Sequence, residues 1–159
     1  MNAGLLQMQR RLVDYRNSLL RDGILDSQYL ELLDLQDESN PNFVVEVVSL
    51  FFTDAEQLLN DLSRELTQRY VDFQRVDVHV ERIDGQSRSI GAQRLKNACI
   101  AFRRLRNTYW ETNIRVYQAC VEDMRQEFFH VKSKLETLFN LEQQIAAAGG
   151  TIPTGRSRL

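Results

Sequence analysis

From residue 42 to residue 152 this chain contains no proline, and across that stretch its apolar residues recur at steps of three and four. Proline inside a helix removes a backbone hydrogen bond and clashes with the preceding turn, so its absence leaves the whole run open to helix. The strongest pattern is Ile114, Tyr117, Val121, Met124, Phe128, Val131, Leu135 and Leu138, which alternates the two steps without a break. Two prolines and seven glycines are also too few for the many turns of a sandwich or barrel. The expected class is all-α.

The same periodicity divides the chain into six helices. Leu5, Leu6, Met8, Leu12, Val13, Tyr15, Leu19 and Leu20 predict a first helix over about 3–21, ended near Gly23. Asp26 or Ser27 caps a short second helix carrying Tyr29, Leu30, Leu32 and Leu33. Asn40 as N-cap, with Pro41 at the first helical position, opens a long third helix with Val44, Val47, Val48, Phe51, Ala55, Leu58, Leu59, Leu62 and Leu66 on one stripe. A fourth runs from about 74 to 90 with Val76, Val80, Ile83, Ser87 and Ile90 inward, and Gly91 ends or bends it. The fifth carries Leu95, Ala98, Cys99, Phe102, Leu105 and Tyr109, and the sixth holds the long seam and ends at Gly149 and Gly150.

A seam of that length suits either an intermolecular coiled coil or an intramolecular bundle. Several other amphipathic helices joined by short loops favour the bundle. With 159 residues the chain is expected to form one helical domain over 1–150, followed by a mobile tail over 151–159 that holds Arg156 and Arg158 without periodicity.

Composition narrows the function. Apolar residues make up 43% and charged residues 26%, as in a folded domain. A formal charge of −2 and an isoelectric point near 5.7 argue against nucleic acid as partner, which calls for a concentrated basic face. No apolar run approaches the ~20 residues that span a bilayer, so no membrane segment is expected. Cys99, Cys120, His79 and His130 stand apart without the spacing of a metal site or disulfide framework. No metal or cofactor is expected, and a reducing intracellular compartment fits best.

Chemistry concentrates on the fourth helix. At 100° per residue, Glu81, Asp84, Gly85 and Arg88 fall on the side away from the apolar stripe, whereas His79 lies about 200° from Glu81 and flanks the stripe. Glycine inside a helix costs about 1 kcal/mol relative to alanine, so Gly85 calls for a reason. Either its missing side chain admits another molecule to position 81, or it marks a helix boundary or a close crossing. His79 reads as a packed histidine and His130 as a surface one, and neither belongs to a nucleophilic triad. Cys99 and Cys120 read as small apolar residues on facing helices.

The segment Ser87-Arg88-Ser89-Ile90-Gly91-Ala92-Gln93-Arg94-Leu95-Lys96-Asn97-Ala98-Cys99 resembles the plant histidine-containing phosphotransfer proteins of two-component phosphorelays. So do Leu35-Gln36-Asp37-Glu38-Ser39-Asn40-Pro41-Asn42-Phe43-Val44, Leu50-Phe51-Phe52 and Lys134-Leu135-Glu136-Thr137-Leu138, in matching order over about 5–152. The resemblance implies an antiparallel four-helix bundle with two additional N-terminal helices.

It also exposes a departure. Where the family carries His-Gln-Leu-Lys-Gly-Ser-Ser, with a Phe alternative at the third position, this chain reads Glu81-Arg82-Ile83-Asp84-Gly85-Gln86-Ser87, preceded by His79 and Val80. Glu81 thus stands at the phosphoacceptor position and Asp84 at the lysine position. Transfer needs a neutral imidazole nitrogen to attack an aspartyl phosphate, and a cation to offset charge on the phosphoryl oxygens. A carboxylate at 81 supplies neither.

The resemblance therefore implies a non-enzymatic pseudo-phosphotransfer protein that binds receiver domains of sensor histidine kinases and response regulators without carrying phosphate, dampening a cytokinin-type relay. Tyr29, Glu81, Arg82, Gly85, Gln86 and Arg88 are the expected contact residues of a monomer working in cytoplasm and nucleus. Two alternatives are a phosphocarrier using His79 and a helical adaptor without receiver binding. On the main reading, Glu81→His together with Asp84→Lys restores transfer at least partly.

Overall fold

In a computed structural model, described over residues 3–108 and 113–153, the chain is six α-helices: α1 Ala3–Arg21, α2 Ser27–Leu35, α3 Phe43–Glu65, α4 Phe73–Ile90, α5 Gln93–Thr108 and α6 Ile114–Ala147. Helices α3 to α6 form an antiparallel bundle, each packed on its chain neighbour and α6 closing back on α3. Cross-helix pairs give the directions. Glu65 reaches Arg75, Asp84 meets Arg103 while Asp77 meets Arg106, and Arg125 of α6 reaches Asn60 and Ser63 of α3.

The sixth helix explains its own seam. Its 34 residues extend about 51 Å at 1.5 Å per residue, longer than α3, α4 or α5. Its N-terminal half completes the bundle, and its C-terminal half receives α1, where Tyr15 donates to the Lys134 carbonyl at 3.0 Å. Tyr117, Val121, Met124, Phe128, Val131, Leu135 and Leu138 are all buried within the one chain. The intramolecular reading of the seam therefore holds. Phe51, Phe52 and Phe128 pack edge-on or tilted, with centroids 5.7 to 6.5 Å apart, and bind α3 to α6.

Helix starts follow their caps. Asp26 accepts from Gln28 N at 3.0 Å, Asp72 from Gln74 N and Arg75 N at 3.1 and 3.3 Å, and Asn113 from Arg115 N at 2.9 Å. The expected Asn40 cap with Pro41 at the first helical position is corrected: α3 starts at Phe43. Asp37 accepts from the Ser39 and Asn40 amides at 2.9 and 3.1 Å and holds residues 37–40 in a turn, and Gln36 Oε1 accepts from Val44 N at 3.0 Å. Gly91 ends α4 rather than bending it. It sits at φ 83°, its carbonyl accepts from Asp26 N at 2.9 Å, and a Cβ there would lie 2.8 Å from Tyr29 N. That contact seats α2 on the α4–α5 turn.

The domain edge also shifts. Residues 151–153, expected in the tail, are docked: Gln9 Nε2 donates to the Thr151 carbonyl at 2.7 Å, Arg16 Nη2 donates to the Pro153 carbonyl at 2.5 Å, and Ile152 packs on the core. The buried Arg16 guanidinium needs that carbonyl, which draws the chain down. Residues 154–159 of the expected tail, and Tyr109 of the expected fifth helix, lie outside the described residues. No described helix is long and apolar enough to cross a membrane.

Candidate functional site on the fourth helix

Helix α4 is flanked by α3 and α5 and overlaid at one end by α2, so its buried arc is wide and one narrow strip faces solvent. Val76, Val80, Ile83, Ser87 and Ile90 are buried as the periodicity required. The strip that remains exposed carries Val78, Glu81, Arg82, Gly85, Arg88 and Ser89. Val78, at 47% exposure, was not singled out from sequence, and it gives this strip an apolar element. Gln86 is half-buried, its Oε1 enclosed without a hydrogen bond from the described residues.

Gly85 lies in mid-helix, and a Cβ placed there would meet nothing within 4 Å. Both the boundary reading and the close-crossing reading therefore fail. What survives is access: a gap in the side-chain cover one turn beyond Glu81. Glu81 is exposed and makes no ion pair or hydrogen bond with any described residue.

Asp84 corrects the expectation. Placed on the exposed side by the helical wheel, it is 3% exposed. Its side faces α5, a neighbour the apolar stripe does not reveal. Arg88 Nε lies 2.9 Å from its Oδ1 and Arg103 Nη1 2.9 Å from its Oδ2, so each carboxylate oxygen holds a guanidinium. Two turns earlier on α4, Asp77 makes a two-pronged pair with Arg106 at 2.8 and 3.0 Å, and the Arg106 guanidinium lies 4.4 Å from the Phe73 ring centroid. This pairing holds the Arg106 charge more firmly than usual, chiefly through the hydrogen bond to Asp77. Between the two pairs runs an open groove of about 400 Å³ lined by Asp77, Val80, Glu81, Arg103, Arg106 and Asn107. Arg103 and Arg106 were missed in the sequence. The signal available was Asp77, Glu81, Asp84 and Arg88 on one side of α4, with two arginines three apart on the next helix.

Tyr29 is a second correction. Expected among the contact residues, it is fully buried, its ring enclosed between α2 and the rest of the fold, and its hydroxyl makes no hydrogen bond with the described residues. Burial first, then the nearby Glu142, pushes its hydroxyl far above the usual range.

His79 is half-buried and opens on the other flank of α4. Its Nδ1 lies 2.5 Å from the Arg75 carbonyl, an arrangement in which Nδ1–H donates. It lines a separate hollow of about 680 Å³ with Arg64 and Arg75 at the α3–α4 turn. His79 and Glu81 thus serve different surfaces. Cys99 is buried, and burial first, then Asp84, pushes its thiol up to about 12; Cys120 is half-buried. His130 is half-buried on α6. Among the described residues no three His, Cys, Asp or Glu side chains gather as a metal site.

Fold and site together define a class: a helical bundle that displays Glu81 near the middle of an exposed helix strip, beside a glycine gap. The comparisons narrow it. The Hpt domain family model matches residues 46–127, the span containing this strip. Histidine-containing phosphotransfer protein 1 of Arabidopsis thaliana is 54% identical over 94% of this chain and 95% of its own length. Pseudo histidine-containing phosphotransfer protein 5 of rice, Oryza sativa subsp. japonica, is 36% identical over 94% of this chain and 97% of its own. A crystal structure of a histidine-containing phosphotransfer protein from Medicago truncatula superposes with a TM-score of 0.82 at 38% identity, over 91% of this chain and 96% of that one.

The chain belongs to the Hpt-domain family of plant histidine-containing phosphotransfer proteins. Members of this family work in two-component phosphorelays, interacting with receiver domains of kinases and response regulators, and are phosphotransfer mediators rather than classical enzymes.

Proposed function

We propose that this member binds receiver domains without carrying phosphate and so competes with phosphate-carrying relatives in a cytokinin-type relay. The observation that supports it is Glu81: an exposed carboxylate at the centre of the strip, with the glycine gap beside it and no imidazole on that side of the helix. A carboxylate could take a phosphoryl group only as a mixed anhydride, and the Asp84 carboxylate at the family's lysine position brings no cation of its own. Val78, Glu81, Arg82, Gly85 and Arg88 form the contact strip, with Gln86 at its edge. The protein acts as a monomer, its long seam being used internally, in the cytoplasm and nucleus.

A second reading has one observation behind it. His79 shares a hollow with Arg64 and Arg75, which pair there with Asp61 and Glu65, so an imidazole lies near cations. Against it, the residue four beyond His79 is the buried Ile83, whereas the glycine gap lies beside position 81. The test titrates the chain with a receiver domain in a calorimeter and then incubates it with the phosphorylated receiver. Binding without acid-labile label on the chain supports the proposal. Label at His79 establishes the second reading, and no binding leaves the helical adaptor.

A further inference from the structure

Three carboxylates of α4, Asp77, Glu81 and Asp84, face the α5 side together with three guanidinium groups, Arg88, Arg103 and Arg106. The pairing is uneven. Asp77 takes Arg106 in a two-pronged bond, and Asp84 takes both Arg88 and Arg103, while Glu81 takes none. The Asp84 side chain is 4% exposed, whereas those of Arg88 and Arg103 are 54% and 42% exposed. The anion is therefore fixed in the protein, and the cations reach from it toward solvent. Arg103 lines the very groove onto which Glu81 opens.

We propose that Asp84 is a positioning residue that locks Arg88 and Arg103, so that the chain retains a latent oxyanion-binding cation, Arg103, in the groove beside position 81, which Asp84 keeps neutralised together with Arg88. The inference rests on the pseudo-phosphotransfer reading and says how the site stays disabled: the residue at the family's lysine position is a carboxylate that also holds the neighbouring arginines. An approaching phosphoryl group meets an unpaired Glu81 and arginines already committed to a fixed carboxylate.

This changes what restores transfer. Asp84→Lys, the replacement the family pattern suggests, puts an ammonium at a buried position in contact distance of two guanidinium groups, where like charges repel. Asp84→Asn keeps the shape and one accepting oxygen, removes the negative charge and frees the arginines to swing toward an anion at position 81. With an imidazole in place of Glu81, its neutral Nε2 attacks the phosphorus of the receiver's aspartyl phosphate. The N–P bond forms, the bond from phosphorus to the aspartyl oxygen breaks, and the receiver's carboxylate leaves with that electron pair. The freed guanidinium groups then offset charge on the three phosphoryl oxygens.

The experiment compares Glu81→His alone with the same change joined to Asp84→Asn, to Asp84→Lys, and to Asp84→Asn plus Arg103→Gln. All are first checked for native helicity and melting. Two readouts are taken: NMR titration of the introduced imidazole, and the rate of label transfer from a phosphorylated receiver. The lock predicts that Asp84→Asn lowers the imidazole pKa by about half a unit or more, because two cations lose their counter-charge. It predicts transfer about tenfold or more faster than Glu81→His alone, and loss of that gain when Arg103→Gln is added. An imidazole pKa indifferent to Asp84→Asn, a gain that survives Arg103→Gln, or a folded Asp84→Lys variant that outpaces Asp84→Asn overturns it. If no variant accepts label, the titration decides alone. Label on His79 of the unaltered chain overturns the pseudo-phosphotransfer reading and leaves the titration result standing, so the two failures are distinct.

Discussion

Replacing Gly85 separates what the position does for the helix from what it does for a partner. The residue is in the interior of α4 and a Cβ there meets nothing within 4 Å, so alanine enters without steric cost. What remains is intrinsic propensity, which favours alanine over glycine by about 0.8–1 kcal/mol. In a chain of this size that corresponds to a rise in Tm of roughly 2–4 °C. Gly85→Gln keeps most of the gain, since glutamine is also a good helix former. Its long side chain, one turn from Glu81, covers the gap, and receiver binding should weaken by about 1–3 kcal/mol, roughly 5- to 150-fold in Kd. Thermal unfolding followed by circular dichroism and titration calorimetry against one receiver measure the two effects. Stability and affinity should move in opposite directions. A fall in Tm for Gly85→Ala would refute the steric reasoning, and unchanged affinity for Gly85→Gln would refute the access role.

Tyr29→Phe should leave receiver binding unchanged and stability undiminished, because the ring stays buried and the hydroxyl lost makes no hydrogen bond with the described residues; weaker binding at unchanged stability would return Tyr29 to the contact surface. Burial raises the carboxyl of Glu142, with Arg16 pulling the other way more weakly. Its folded form thus binds the proton more tightly than the unfolded chain does, so its contribution to stability is full below the ordinary carboxylate range and is lost as pH rises through the raised value. Glu142→Gln should remove that loss, so the Tm of the variant should gain on the wild type as pH rises above the ordinary carboxylate range, and a difference independent of pH would contradict the assignment. Cys99 should resist a thiol reagent in the native protein and react on unfolding, since burial holds its thiol protonated up to about 12; rapid native labelling at Cys99 would refute this.

The helices were legible because their periodicity and caps are local. Asp26 and Asp72 cap where a short polar side chain can reach the next free amides, and the heptad seam of α6 is buried from Tyr117 to Leu138, with Ile114 at its start half-buried. Asn40 misled because Asp37, three residues earlier, claims its amide for a turn. At the site, Glu81 and Gly85 were placed correctly, since an exposed strip opposite an apolar stripe needs no knowledge of neighbours. Asp84 was misplaced because its side packs on α5 through arginines, and hydrophobic periodicity is blind to a charged interface. Tyr29 was misread for the opposite reason. An aromatic on a short helix reads equally as surface or core until the helix is seen to lie on α4 and α3.

The central claim is tested most directly by phosphoryl flux from a phosphorylated receiver domain to an active histidine-carrying relative, measured with increasing amounts of this chain. Competitive docking predicts that flux falls in step with receiver occupancy, is restored by more of the active carrier, and proceeds with no label on this chain. Flux that stays constant while the receiver is saturated, or label accumulating on this chain, would contradict it.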